Sequence, residues 1–301
     1  MYDTSAGVTK AELVNNPGKS SPHSGIAMIA FVLIMILALV PTLFGADSYK
    51  IKAIRYATIA QFPVSSLVIG ASEDDSLDIA MVVWLVQGHD RNILFDSGYY
   101  RKTLSKRFNL TDFIRPDEAV KLAGVAADDI TDIIISHAHW DHMGGIDLFP
   151  NATVWIQEKE FEYYLGPAWQ EGGKHGGIDP QDLLSLVRRN TEGKVRFVDG
   201  DDVEIFSGIR AFSGARHTFA SQYILVEGEK PVVLASDNCY LYRNLAMHLP
   251  VATFSPEDGP ANLAALDRML FLAGAPERVI PGHDPALFSK VAGAGRVVTI
   301  R

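Results

Sequence analysis

The sequence contains a single cysteine, Cys239, in 301 residues, so no disulfide within the chain can brace it and its stability must come from a buried core. It is also poor in basic residues. Lys and Arg total 27 against 36 Asp and Glu, and the formal net charge of −9 repels nucleic acid and anionic membrane surfaces on average. Internal repeats and low-complexity tracts are missing, which sets aside solenoids and disordered arms. What is present is length enough for one large catalytic domain and one long apolar run at residues 25–45, which carries no charge. The run approaches the roughly 20 residues that span a bilayer. It predicts an N-terminal tail over residues 1–46 that serves as export signal or membrane anchor, ahead of a folded domain over residues 47–301. The protein is then exported, and is membrane-anchored, periplasmic or secreted. Lys10 and Lys19 precede the run while Lys50, Lys52 and Arg55 follow it, so basic residues do not fix an orientation.

Beyond residue 46 short strands and helices alternate. Residues 49–59 read as a strand, and residues 79–86 with 92–95 as a hairpin turned by Gly88, His89 and Asp90. Residues 130–136 (ITDIIIS) are apolar and β-branched, which predicts a strand buried on both faces. Further strands are expected at 153–156, 195–198, 209–212, 222–226, 232–235 and 278–280, and helices at 116–122, 158–164, 181–189 and 262–272. A loop with Gly172, Gly173, Gly176 and Gly177 around His175 is expected to be mobile. The repeated order strand, strand, helix, strand predicts an α/β sandwich of two mixed sheets with helices outside.

The segment His137-Ala138-His139-Trp140-Asp141-His142 packs three imidazoles and a carboxylate into six residues at the exit of the predicted buried strand. Imidazole and carboxylate suit zinc, iron and manganese, and extended alternation puts His137 and His139 on one face. Asp141 and His142 then turn toward a neighbouring position, so one short loop can serve two adjacent metals.

These residues resemble the HxHxDH motif of the metallo-β-lactamase superfamily, here followed by Gly144-Gly145. The resemblance extends over about residues 50–290. Asp96 matches the family's early structural aspartate, His217 its third-position histidine, Asp237 its bridging aspartate, and His283 its final histidine within Pro281-Gly282-His283. It implies an αββα fold in which His137, His139 and His217 hold one divalent metal and Asp141, His142 and His283 the other, with Asp237 between them and zinc as the metal. A metal-bridging hydroxide, available because paired cations acidify water, would attack a carbonyl, and Asp141 would also manage a proton.

Within the superfamily, His139 stands where di-iron redox members carry glutamate, and Asp237 stands where true β-lactamases carry Cys or Ser. The acidic balance disfavours the nucleases, and little sequence follows His283 to form a glutathione-binding domain. The segment from Ser236 to Tyr240 is similar to that of N-acyl homoserine lactonases, which implies that Tyr240 reaches the substrate carbonyl and that Trp140 lines the pocket. The expected activity is opening of a lactone ring, as in quorum quenching; cleavage of another carboxylic or phosphate ester and a mononuclear iron persulfide dioxygenase stand as alternatives. One stretch departs from the lactonase pattern. After His217 the chain reads Thr218-Phe219-Ala220-Ser221, without the Pro-Gly bend and second histidine. Cys239 is read as a buried residue, His175 as an exposed loop residue, and His23, His89 and His248 as surface or structural.

Overall fold

The computed structural model describes residues 49–289 and 295–301, and the tail with its apolar run at 25–45 lies outside these described residues. Among the described residues no helix is long and apolar enough to cross a membrane. The strands are β1 (Lys50–Pro63), β2 (Ser76–Gly88), β3 (Arg91–Phe95), β4 (Leu110–Thr111), β5 (Asp132–Ile134), β6 (Thr153–Gln157), β7 (Val195–Val198), β8 (Val203–Phe206), β9 (Ile209–Ser213), β10 (Gln222–Val226), β11 (Val232–Ser236), β12 (Val279–Pro281) and β13 (Val297–Thr299). One sheet has the order β13-β1-β2-β3-β5-β6-β7, with β4 paired to β1, and the other runs β12-β11-β10-β9-β8. The antiparallel β1, β2 and β3 give way to parallel β3, β5, β6 and β7, so the larger sheet is mixed.

Three apolar clusters explain the layers. The inner faces of the sheets meet through Trp84, Phe95 and Ile134 on one side and Ile209, Ile224 and Leu234 on the other. The outer face of the larger sheet is covered in part by the helices Pro116–Leu122 and Pro180–Thr191, whose Val120 and Leu186 pack with Ile133 and Val154. Helix Gly259–Ala273 covers the smaller sheet with Leu266 and Met269 against Tyr223 and Val233. This is the αββα sandwich expected from the sequence.

The local differences have identifiable causes. The hairpin turn uses only His89 and Asp90, both left-handed at φ 50° and 57°, while Gly88 stays in the ladder opposite Arg91. That is the two-residue turn whose twist suits a hairpin. Gly88 is needed for another reason, since a Cβ there would sit 2.9 Å from Tyr49 Cδ1. The buried strand expected at 130–136 is only Asp132–Ile134. Beyond it Ile135 N still donates to Trp155 O of β6 at 2.8 Å, but the remaining backbone groups turn to other partners: Gln222 Nε2 donates to the Ile135 carbonyl at 2.7 Å, Gln222 N donates to the Ser136 carbonyl at 2.8 Å, and Ser136 N donates to Asp96 Oδ1 at 2.8 Å. Strands β8 and β13, half-exposed and short, carry too little apolar alternation to be read from sequence. The glycine-rich loop is fastened rather than free, with Gly177 O accepting from Trp140 N at 2.9 Å and His175 Nδ1 2.9 Å from Ala168 O.

Candidate metal centre

The site lies where chain segments leave the strand ends of both sheets. His137 follows β5, and His139, extended at φ −63° and ψ 151°, immediately precedes the single helical turn Trp140–Met143 that carries Asp141 and His142. His217 leaves β9 through Ala215 and Arg216, both left-handed, Asp237 follows β11, and His283 follows β12. All seven predicted side chains are brought together. They form two groups, His137, His139, His217 and Asp237 in one and Asp141, His142 and His283 in the other, each with its donor atoms within 4.8 Å of one another.

Asp237 stands between the groups. Its Oδ2 lies 3.6 Å from His137 Nε2 and 3.4 Å from His217 Nε2, while its Oδ1 lies 3.2 Å from His142 Nε2 and 2.9 Å from His283 Nε2. In the first group His139 Nδ1 is 3.0 Å from His137 Nε2 and 3.1 Å from His217 Nε2. In the second Asp141 Oδ2 is 3.3 Å from His142 Nε2 and 3.6 Å from His283 Nε2. Metal–ligand bonds of about 2.0–2.1 Å around a tetrahedral cation separate neighbouring ligand atoms by about 3.3 Å, so the spacing fits a cation in each group.

The hydrogen bonds point the same way. His217 and His283 direct Nδ1 to the carbonyls of Ala252 and Ala80, both at 2.8 Å, and His142 directs Nδ1 to Asp96 Oδ2 at 2.8 Å. Each N–H is thereby spent outside the cage and each Nε2 lone pair faces inward, as metal-binding histidines require. The buried Nε2 of His142 and Oδ1 of Asp237 have no well-formed hydrogen-bond partner. Burying such groups unpaired is costly, and a cation removes the cost. The residues present therefore fit two divalent metal ions.

Charge is divided between the groups. Burial holds His137, His139 and His217 below the ordinary imidazole range, His139 down to about 3, so these are neutral donors. Burial opposes charge on His142 and His283 as well, but the carboxylates of Asp237 and Asp141 outweigh it and raise both. Asp141 and Asp237 are lowered because His142 and His283 overcome their burial.

A second layer of side chains ties the segments together, and only part of it was legible in the sequence. Asp96, left-handed at φ 63°, accepts from Ser136 Oγ and Ser236 Oγ at 2.9 Å as well as from His142, so one carboxylate holds the segments of His137, His142 and Asp237. Glu160, on helix Glu158–Leu165, was not anticipated. Its Oε1 accepts from Ala138 N at 2.9 Å and Thr218 Oγ1 at 2.6 Å, and its Oε2 from Ala220 N at 2.6 Å. The stretch that departs from the lactonase pattern is thus stabilised by Glu160, by Ser221 Oγ donating to Asn238 Oδ1 at 2.8 Å, and by Phe219 stacking on Tyr163 with centroids 4.1 Å apart. A glutamate on a surface-like helix gave no sequence signal, since nothing in its neighbours marks it as buried.

Two cavities flank the centre and meet at Tyr240, His139 and Gly177. One, about 170 Å³, has apolar walls that include Leu67, Phe108 and Trp140, with Trp140 stacked on Phe108 at 4.9 Å. The other, about 360 Å³, includes Lys174, Thr253 and Phe254 in its wall. The Tyr240 hydroxyl lies 3.4 Å from His217 Nε2, and burial, with the charges of Asp237 and Asp141, raises its pKa well above the ordinary phenol value. It is a proton donor at the edge of the cage. His175 does not enter either cavity; it stacks on Trp169 at 4.4 Å, and its neighbours Lys174 and Gly176 line the larger one instead. Cys239 is buried, and His89 and His248 are exposed.

Comparison with known proteins agrees with this geometry. The family model described as metallo-beta-lactamase superfamily matches residues 81–283. An N-acyl homoserine lactonase from a Bacillus species is 28% identical over 196 residues, which cover 60% of this chain and 72% of that protein. The N-acyl homoserine lactonase AttM of Rhizobium radiobacter is 41% identical over 173 residues, covering 56% of this chain and 63% of AttM. Among solved structures, an N-acyl homoserine lactone hydrolase with N-hexanoyl-L-homoserine bound at its catalytic metal centre has a TM-score of 0.66 at 21% identity, over 80% of this chain and 96% of that one. AidC, a dizinc quorum-quenching lactonase, has a TM-score of 0.62 at 19% identity, over 79% of this chain and 88% of AidC. At these identities the structural likeness speaks for the fold. The family model, by contrast, runs from within β2 to His283 through every residue of the cage, and the chain belongs to the metallo-β-lactamase superfamily.

Proposed function

We propose that the protein is a binuclear metal-dependent hydrolase that opens lactone rings, with zinc at both positions and an N-acyl homoserine lactone or related small lactone as substrate. The observation that carries this reading is the Tyr240 hydroxyl, a buried donor 3.4 Å from His217 Nε2 at the junction of two cavities. The relatives named as N-acyl homoserine lactonases support the substrate class, and the dizinc name of AidC supports the metal.

Two divalent cations held by the seven side chains would supply a Lewis acid for the carbonyl oxygen and a water acidified toward neutral pH. The chain does the rest. Tyr240 donates a hydrogen bond to the carbonyl oxygen as charge develops there, an interaction that strengthens along the reaction. Asp141, a carboxylate in the second group of donors, is placed to take a proton from the attacking water and return it to the departing ring oxygen. One water is consumed, the ring C–O bond breaks, and a hydroxy acid leaves. Trp140 and Phe108 offer an apolar wall to the substrate's hydrocarbon part.

The apolar run at 25–45 supports a further part of the proposal, that residues 1–46 export or anchor a hydrolase domain over residues 47–301. Cell fractionation reads this directly, and a cytosolic full-length chain would overturn it. For the activity, the purified protein is expected to contain two zinc per chain and to convert lactones to hydroxy acids with release of a proton, an activity lost on chelation and restored by zinc. Cleavage of phosphate esters without lactone turnover would overturn the assignment, and so would one iron per chain in place of two zinc.

A further inference from the structure

The two cavities that meet at Tyr240 differ in charge. The apolar one has Asp141, Asp237 and His283 in its wall and neither Lys nor Arg, whereas the larger one has Lys174 as its one formally charged side chain and no carboxylate. Lys174 is an exposed residue in the wall of the larger cavity, tethered at three points. Its backbone N–H donates to the Tyr163 hydroxyl at 3.0 Å, its ammonium donates to the Phe254 carbonyl at 2.8 Å, and Nζ stands 4.8 Å from the centre of the Phe254 ring. Arg216 stacks on the same ring at 5.0 Å but is paired with Asp258 Oδ2 at 3.3 Å. No carboxylate among the described residues lies within ion-pairing distance of Lys174, and Glu257 feels it only at longer range. The ammonium has three protons, of which a neutral carbonyl takes one. A tethered positive charge, its other two protons open to water, thus lines a cavity with no other formally charged side chain in its wall.

We propose that Lys174 makes this cavity a subsite for an anion, so that the preferred lactone bears a carboxylate or comparable oxyanion on the side opposite its apolar part. The proposal rests on the lactonase reading and narrows its substrate class. With the carbonyl at Tyr240, the hydrocarbon part extends along Trp140 and Phe108, and the anion reaches Lys174. The protein's net charge of −9 does not favour anions overall, and in the wall of this cavity Lys174 is the one cationic side chain that can select for one.

The test uses the full chain loaded with two zinc and a pair of lactones of equal size, one ending its side arm in a carboxylate and the other in a carboxamide. The wild type is expected to favour the carboxylate by about fivefold in kcat/KM, the size of a partly solvated ion pair, with the preference shrinking as salt is raised. Lys174→Gln brings the ratio to about one, Lys174→Arg keeps it and Lys174→Glu inverts it. A wild-type ratio of one or less, or an unchanged ratio in Lys174→Gln, overturns the proposal. If neither lactone is turned over the lactonase reading fails, and calorimetric titration of the two ring-opened products into the loaded wild type and Lys174→Gln then decides the anion subsite by the same ratio.

Discussion

Replacing Glu160 by glutamine tests whether a residue that touches no ligand atom governs one metal position and spares the other. Glu160 is fully buried, and burial raises its carboxyl above the ordinary range although Thr218, Ala138 and Ala220 all donate to it. Glutamine keeps the shape but has one acceptor oxygen in place of two. If that oxygen serves Ala138 N and Thr218 Oγ1, the new amide NH2 faces Ala220 N, donor against donor, across the 2.6 Å the carboxylate now spans. An unpaired buried N–H, together with two weakened charge-assisted bonds, costs about 2–4 kcal/mol. In a domain of this size that lowers Tm by roughly 5–15 °C. The bonds join the loop of His137 and His139 to the loop of His217, so the first group of ligands loosens while His142 keeps its bond to Asp96, His283 its bond to the Ala80 carbonyl and Asp141 its backbone bond from Tyr56. Metal affinity at one position is expected to fall on the order of 10–100-fold, as it does when an outer partner of a metal ligand is lost. Competition with a chelating dye, read as two successive dissociation steps, measures this. Equal weakening of both metals, or no weakening with Tm within about 1 °C of wild type, would refute the argument.

Four further outcomes follow from the same geometry. Tyr240→Phe removes a donor without removing a ligand, so kcat falls on the order of 100-fold while elemental analysis still finds two metals per chain; loss of metal would contradict the role given to the hydroxyl. Asp141→Asn lowers kcat on the order of 1000-fold and metal content far less, because the proton acceptor is lost while five histidines and Asp237 remain. Gly177→Ala places a Cβ 2.7 Å from His139 Cδ2 at a φ of +76°, so it costs roughly 1–2 kcal/mol in strain and shifts His139, which lower Tm and weaker binding of one metal would report. Away from the site, Arg268 and the Ser213 N–H hold Asp201 below the usual carboxylate range despite its partial burial. Its contribution to stability is therefore present above its unfolded pKa and lost as pH falls through the lower folded value. Acid titration of metal-free Asp201→Asn should show a shallower loss of stability in that window than wild type.

What the sequence made legible and what it hid divide along a physical line. The inner-sheet strands were readable because a residue buried on both faces of a strand has to be apolar whatever its neighbours, and β10 and β11 are buried at every position. The first four residues of the cage were readable because they are adjacent, and adjacency makes a pattern. His217, Asp237 and His283 were recognised only by their order in a family, since each is a lone polar residue after a strand, and the fold alone brings them within reach of one another. Glu160 and Lys174 belong to a third kind. Their spacing to the motif has no regularity, because they reach it across the gap between a helix or loop and the strand ends. Their chemistry is also commonplace in exposed positions. Glu160 is distinguished only by the two loops it joins, and Lys174 only by its place in a cavity wall that has no carboxylate. A metal cage is encoded locally enough to be read, whereas what steadies it and what it selects are relations between distant segments. Substitutions at Glu160 and Lys174 therefore test relations that only the fold creates, whereas substitutions within the cage test the donor set itself.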